Sequence, residues 1–281
     1  MDTVESVFAQ RMRVMGIVNV TPDSFSDGGR FTDVNAAVQH GQYLIACGAD
    51  VVDVGGESTR PGAAPVDAET ETARVLPVIE ALAASSKVPI SIDTTKSEVA
   101  RRALEAGARI VNDVGLRRSD QDLAGAASAA DAGYIVMHSR QSPSDMQHHP
   151  HYDDLVSEVC EEIEEGLRGV FAAGVAPTRV MVDLGLGFAK DARHNVELLA
   201  RIDEVSARLT LPVLVGASRK SFLNVMLDSE PMPGGATRSP VERDAATTGT
   251  TVWAFAHGAA MVRVHNVVGA VAARQILEEV A

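Results

Sequence analysis

Apolar residues along this chain fall into two alternating patterns. Short consecutive runs recur at Val14 to Val20, Val51 to Val54, Pro89 to Ile92, Arg109 to Val114, Tyr134 to Met137, Val180 to Val182, Pro212 to Val215 and Met261 to Val264. Each ends at a polar or glycine residue. Because the apolar positions are consecutive, not alternating, each run predicts a strand covered on both faces, as in a parallel sheet. The segments between them have helical spacing. Thr95 and Glu98 stand at capping-box distance, Val99, Ala103 and Ala106 share a face away from Arg101, Arg102 and Glu105, and Gly107 ends the pattern. Asp33 is expected to cap a helix that turns Ala37, Leu44 and Ile45 inward and stops at Gly48. Leu155, Val159, Ile163 and Val170 make another stripe, beside which Glu158 to Glu165 read as a solvated face.

Strand and helix alternate from end to end without a linker-like shift in composition, so one α/β domain over 1–281 is expected. Eight units in 281 residues favour a closed (β/α)8 barrel, the TIM-barrel architecture, which takes about 250 residues. An open doubly wound sheet stays possible, because strand succession does not give strand order. Residues 1–12 read as an N-terminal extension and 231–240 as a flexible loop, with Gly234 and Gly235 between Pro231 and Pro240.

Composition narrows the partners. Only 4% of residues are aromatic, which leaves core packing to Val, Leu, Ile and Ala, and a net charge of −13 opposes binding to a nucleic-acid backbone. Any anionic ligand must be held by a local cluster of cations. Cys47 and Cys160 lack metal or redox spacing and read as reduced thiols. Met1 to Gln10 has neither a basic nor an apolar leader segment, and no apolar stretch is long enough for a membrane, so the expected compartment is the cytoplasm.

In a barrel of this kind, chemistry sits where strands end at their C-terminal side. The polar residues there are Asn19, Asp53 with Glu57, Asp93, Asn112, His138, Asp183, Ser218 with Lys220, and Arg263 with His265. Arg263 and His265 are two apart on one strand, so they share a side and can grip an anion. Lys220 and Ser221 stand where the seventh strand turns into a helix, whose first N–H groups favour a carboxylate. Asp93 and Asp183 end apolar runs with no cation close in sequence. A flat heterocycle with adjacent N–H donors could be their partner, with Asn112 reading its edge; salt bridges to other barrel residues are the alternative. Gly185 and Gly187 fail as a dinucleotide fingerprint, since Lys190 stands where the third glycine belongs. His148, His149 and His151 beside Asp153 and Asp154 read as a surface loop before a metal site.

These segments resemble the dihydropteroate synthase family nearly end to end. The likeness is carried by Gly16-Ile17-Val18-Asn19-Val20-Thr21-Pro22-Asp23-Ser24-Phe25-Ser26-Asp27-Gly28-Gly29, Asp53-Val54-Gly55-Gly56-Glu57-Ser58-Thr59-Arg60-Pro61-Gly62, Ser91-Ile92-Asp93-Thr94, Gly216-Ala217-Ser218-Arg219-Lys220-Ser221-Phe222 and Arg263-Val264-His265. The resemblance implies condensation of a dihydropterin methyl diphosphate with 4-aminobenzoate, releasing diphosphate. It implies Mg²⁺ on Asn19, diphosphate held by Arg263 and His265 with Thr59 along its path, and pterin held by Asp93, Asn112, Asp183 and Lys220. Phe25, Arg60, Pro61, Phe188 and Ser221 would surround 4-aminobenzoate. It also implies a homodimer and a sulfonamide target.

Three positions depart from the family pattern: Gly115-Leu116-Arg117-Arg118 where a small glycine-rich turn is expected, Leu184 in place of proline, and Asn266 in place of aspartate. The first and last bear on pterin-pocket geometry and catalytic efficiency. The first keeps a noncatalytic pterin-binding paralogue in view, and a second rival is different chemistry on the same pterin pocket, a pterin-dependent methyltransferase. The methyltransferase has no use for Arg263, His265 and Lys220 as a diphosphate clamp.

Overall fold

Strands built from consecutive Val and Ile need apolar cover on both faces, and closing them into a ring supplies it. The computed structural model describes residues 3–21, 29–58, 63–140, 151–227 and 239–280. In it the runs become β1 (Arg13–Asn19), β2 (Val51–Gly55), β3 (Ile90–Asp93), β4 (Ile110–Asp113), β5 (Gly133–Met137), β6 (Val180–Asp183), β7 (Val213–Val215) and β8 (Met261–Val264). They are parallel and follow one another around a closed barrel, with β1 pairing both β2 and β8. That second pairing rules out the open sheet.

The two-residue period of a strand divides the core. Met15, Val51, Ile110, Ile135, Met181, Leu214 and Met261 fill the barrel interior, while Val14, Val18, Val52, Val54, Ile92, Val111, Val136, Val182 and Val264 pack in the layer against the helices. The N-terminal segment is more than a tail. Helix α1 (Val4–Ala9) places Val4, Val7 and Phe8 in the interior cluster and so closes the bottom of the barrel. Gly133 makes room for it, since a Cβ there would stand 2.4 Å from Val4 Cγ1.

The outer layer consists of α2 (Gly29–Ala46), α3 (Ala68–Ser85), α4 (Ser97–Glu105), α5 (Leu123–Ala129), α6 (Leu155–Ala172), α7 (Ala192–Ala200), α8 (Ile202–Leu209), α9 (Phe222–Leu227), α10 (Asp244–Ala256) and α11 (Val267–Val280). Two helices start elsewhere than their local signals indicate. Helix α2 begins at Gly29, which puts Asp33 inside it and not at its cap, although Ala37 and Leu44 are buried and Gly48 takes φ +96° as its stop. Thr95 and Glu98 form no capping box; α4 starts at Ser97, whose N–H donates to Asp120 Oδ2 at 2.8 Å. A carboxylate from the next loop thus does what the local pair was expected to do. No helix among the described residues is long and apolar enough to cross a membrane.

Candidate active site

Carrying the inward parity of the strands one step toward their C-terminal ends gives Asp53, Asp93, Asn112, Asp183 and Arg263 in place of the apolar interior residues, with Asn19 and His265 one step further on β1 and beyond β8. Their side chains converge. Arg263 Nε donates to Asp53 Oδ2 and Arg263 Nη2 to Asp93 Oδ2, each at 2.6 Å, while Asn112 Nδ2 donates to Asp53 Oδ2 at 3.1 Å. Asp93 therefore does have a cation beside it, brought from the last strand by ring closure. Burial drives the Asp93 carboxyl up to about 7 against the pull of Arg263, and Asp53, Glu71 and Asp183 add repulsion. Burial also works against the Arg263 charge, but Asp53 and Asp93 outweigh it and hold the guanidinium above its ordinary value.

Asp183 and Lys220 form the other half. Burial raises the Asp183 carboxyl, opposed by the charge of Lys220, the Gly185 N–H and Arg263. Burial lowers the Lys220 ammonium to about 8, with Asp183 opposing. Both side chains are anchored on the turn that follows β6: Gly185 N–H donates to Asp183 Oδ1 at 2.8 Å, and Lys220 Nζ donates to the Leu186 carbonyl. The two glycines in this turn have a backbone reason. Gly185 and Gly187 have φ of +62° and +79°, and a Cβ on Gly185 would lie 1.9 Å from the His138 carbonyl oxygen. Gly185→Ala is accordingly expected to cost roughly 2–4 kcal/mol and to loosen Asp183, as urea melts and ligand calorimetry would record.

The chemistry of this mouth is that of a bipolar ligand. Asp53 Oδ1 and Asn112 Oδ1 are buried acceptors with no hydrogen-bond partner among the described residues, which suits the N–H edge of a flat ring. At the other end, the Ser218 hydroxyl oxygen accepts from the His265 backbone N–H at 3.0 Å and lies 2.9 Å from Nδ1. With that hydroxyl donating to Nδ1, the ring proton belongs on Nε2, the donor an anion needs. Thus a protein of net charge −13 concentrates Arg263, Lys220 and His265 at one opening.

Other sequence expectations divide. Phe188 is buried with Val114, Met137 and Ala189, its ring centre 4.7 Å from Lys220 Nζ. Ser221 is exposed just before the six-residue α9. Asn19 ends β1 with inward parity. Glu57 is bound by Lys96, which also donates to the buried Glu71 at 2.6 Å. Phe25, Thr59, Arg60 and Pro61 lie outside the described residues, as do His148, His149 and positions 231–238 of the expected loop. His151 and Asp153 form an exposed pair, and no group of three or more His, Cys, Asp or Glu able to hold a metal occurs among the described residues. The glutamates of α6 are ion-paired: Glu158 and Glu162 bind Arg140, and Glu161 and Glu164 bind Arg208.

Each departure finds local partners in the fold. Residues Leu116–Arg118 form a short 3-10 turn fastened by Asp113, whose Oδ1 accepts from the Gly115 and Leu116 N–H groups at 2.9 and 3.2 Å, while Tyr134 O–H donates to its Oδ2 at 2.8 Å. Leu116 is buried toward α6, where a Cβ on Gly166 would meet its Cδ1 at 2.4 Å. Arg118 donates to the Ser139 hydroxyl at 2.8 Å. Leu184 is fully buried in the outer core. Asn266 Oδ1 accepts the Gly269 N–H at 3.1 Å, so an asparagine caps α11 as an aspartate would. Sequence reasoning missed the part played by Asp53 as the hub between Arg263 and Asn112, and by Lys190, seen only as a failed glycine.

Comparison with known proteins agrees with this geometry. A family model described as pterin binding enzyme matches residues 15–265. The chain is 45% identical to the dihydropteroate synthase of Mycobacterium leprae over 267 residues, 95% of this chain and 92% of that protein. A Clostridium difficile dihydropteroate synthase solved with pteroic acid superposes with a TM-score of 0.87 at 37% identity, covering 97% of this chain and 98% of the other. The Xanthomonas albilineans dihydropteroate synthase solved with 4-aminobenzoic acid superposes with a TM-score of 0.86 at 42% identity, covering 96% and 93%.

Proposed function

This chain belongs to the dihydropteroate synthase family of pterin-binding enzymes, and on that premise we propose how its own residues condense (7,8-dihydropterin-6-yl)methyl diphosphate with 4-aminobenzoate to 7,8-dihydropteroate and diphosphate. The observation that carries the reading is the meeting, at one mouth, of the cluster Arg263, Asp53, Asp93 and Asn112 with the pair Asp183 and Lys220, and His265 two residues beyond Arg263. The C–O bond to the diphosphate breaks with its electron pair going to the leaving oxygen, and the aryl amine nitrogen bonds to the methylene carbon and gives up a proton to water. The amine is neutral near pH 7, so no general base is required.

Catalysis is then electrostatic. Negative charge grows on the leaving oxygens, where the Arg263 guanidinium and the His265 Nε2–H stabilise it, and positive charge spreads into the ring beside the Asp93 and Asp183 carboxylates. Asn112 and Lys220 orient the ring. On the family pattern Phe188 and Ser221 would meet 4-aminobenzoate together with Phe25, Arg60 and Pro61, and Thr59 would meet the diphosphate. Asn19 offers a neutral amide oxygen at the mouth, which suits Mg²⁺ held jointly with diphosphate oxygens and water better than a metal bound by protein alone. When bound there, Mg²⁺ would neutralise charge on the leaving group.

In the turn after β4, Leu116 packs toward α6, and Asn112 and Asp183 keep their hydrogen bonds at the mouth, which counts against a noncatalytic paralogue. A homodimer and a cytoplasmic setting complete the proposal, the latter supported by Cys47 and Cys160 being unpaired. Diphosphate release by the purified protein with both substrates and Mg²⁺ tests it: release dependent on 4-aminobenzoate is expected, and ligand binding without release would refute it.

A further inference from the structure

Behind the turn that anchors Asp183 and Lys220 runs a buried polar chain to which the reaction assigns no part. Lys190 is 2% exposed. Its Nζ is bonded to His138 Nδ1 at 2.7 Å and to the Gly185 and Phe188 carbonyls at 3.1 Å each. These three acceptors match the three donors of an ammonium, and none is an anion. Burial accordingly pulls Lys190 down to about 7; Lys220 and Arg140 act in the same direction, while Asp183 and Glu162 oppose. A cation desolvated without a contact ion pair is costly, and the atoms it holds indicate its use.

Those atoms belong to the turn that sets the pterin-holding side chains. The N–H of Gly185, whose carbonyl Lys190 binds, donates to Asp183. Between the two clamped carbonyls lies Leu186, whose own carbonyl holds Lys220. On the far side, His138 is 0% exposed and burial lowers it to about 3, so the ring is neutral. Its Nδ1 accepts from Lys190, which puts the ring proton on Nε2, bonded to Glu162 Oε2 at 3.1 Å. Arg140 Nε donates to Glu162 Oε1 at 2.7 Å and its guanidinium lies 3.8 Å from the Tyr152 ring centre. Tyr152 O–H returns to the same turn at the Ala189 carbonyl, 2.9 Å away.

We propose that Lys190 is a positioning residue of the pterin site, clamping the Gly185 and Phe188 carbonyls so that Asp183 and Lys220 stand at ring-binding distance, with His138, Glu162 and Arg140 orienting its nitrogen. The inference rests on the function proposed above and deepens it. Lys190→Met keeps an unbranched side chain one atom shorter and removes its donors. Its KM for the pterin diphosphate should rise about 10-fold while kcat stays within about 3-fold, since Lys190 touches no reacting atom. An unchanged KM in a folded variant, or a loss confined to kcat, overturns the proposal.

Should Lys190→Met not fold, nitrogen NMR of His138 in the wild-type protein decides: a neutral ring protonated on Nε2 supports the clamp, and a proton on Nδ1 overturns it. Calorimetry on the wild-type protein separates this inference from its premise. Wild-type protein that binds no pterin diphosphate removes both, whereas equal binding by wild type and variant removes the clamp alone.

Discussion

Arg263→Ala is expected to lower kcat/KM for the pterin diphosphate about a thousandfold, as loss of a charged leaving-group donor does, and also to weaken the fold by about 3–5 kcal/mol. The two effects have separate causes. Arg263 is the shared partner of Asp53, fully buried, and Asp93, largely buried, so its removal strands two carboxylates in the barrel mouth. Part of the cost can be relieved, because Asp93 already stands at about 7 and would take up a proton once the guanidinium is gone. Sign and size are therefore checkable together. Steady-state kinetics should show the loss at every pH, while urea melts should show the variant losing more stability as pH rises and Asp93 is forced to ionise. Adding Asp53→Asn to Arg263→Ala should restore stability without restoring turnover.

Asp183→Ala should weaken pterin affinity about 100-fold, the scale of a lost hydrogen bond to a charged acceptor, as calorimetry with the pterin diphosphate would measure. Removing this carboxylate takes away the nearest counter-charge of Lys220, whose ammonium would fall below its present value of about 8. It also leaves the Gly185 N–H without its acceptor. Asp183→Asn separates these effects. The amide oxygen can still accept from Gly185, so the turn should keep its shape, and the residual loss in affinity reports the charge itself.

How much of this was legible beforehand follows from the physics of each part. Two-sided burial leaves consecutive apolar residues, so all eight strands could be read to within a residue or two, and the two-residue period then gave Arg263 and His265 a common side. The ends of helices were harder, because the group that starts α4 is Asp120, 23 residues on and in a different loop. Partners across the barrel were out of reach for the same reason. Arg263 and Asp53 are 210 residues apart and Arg263 and Asp93 are 170 apart, contacts that exist only because the last strand closes onto the first. Lys190 hid for another cause: in a string it marks where a glycine motif fails, and only folding shows the carbonyls around its nitrogen.

The departures teach a related lesson. Two arginines and a leucine after β4 read as bulk inserted beside the ring site, yet Asp113 fastens the backbone of that turn, Gly166 on α6 gives Leu116 its space and Ser139 accepts from Arg118. Asn266 keeps the capping function of the aspartate it replaces without the charge. In both places, what matters is which atoms face the mouth, and sequence spacing alone does not record that.

The central claim is that one opening holds both ends of a bipolar substrate, and a crystal structure with the pterin diphosphate bound tests it most directly. The ring edge should lie on Asp93, Asn112 and Asp183, with the phosphates against Arg263 and His265. Phosphates seated on the Asp183 side, or a ring bound outside the barrel mouth, would contradict it.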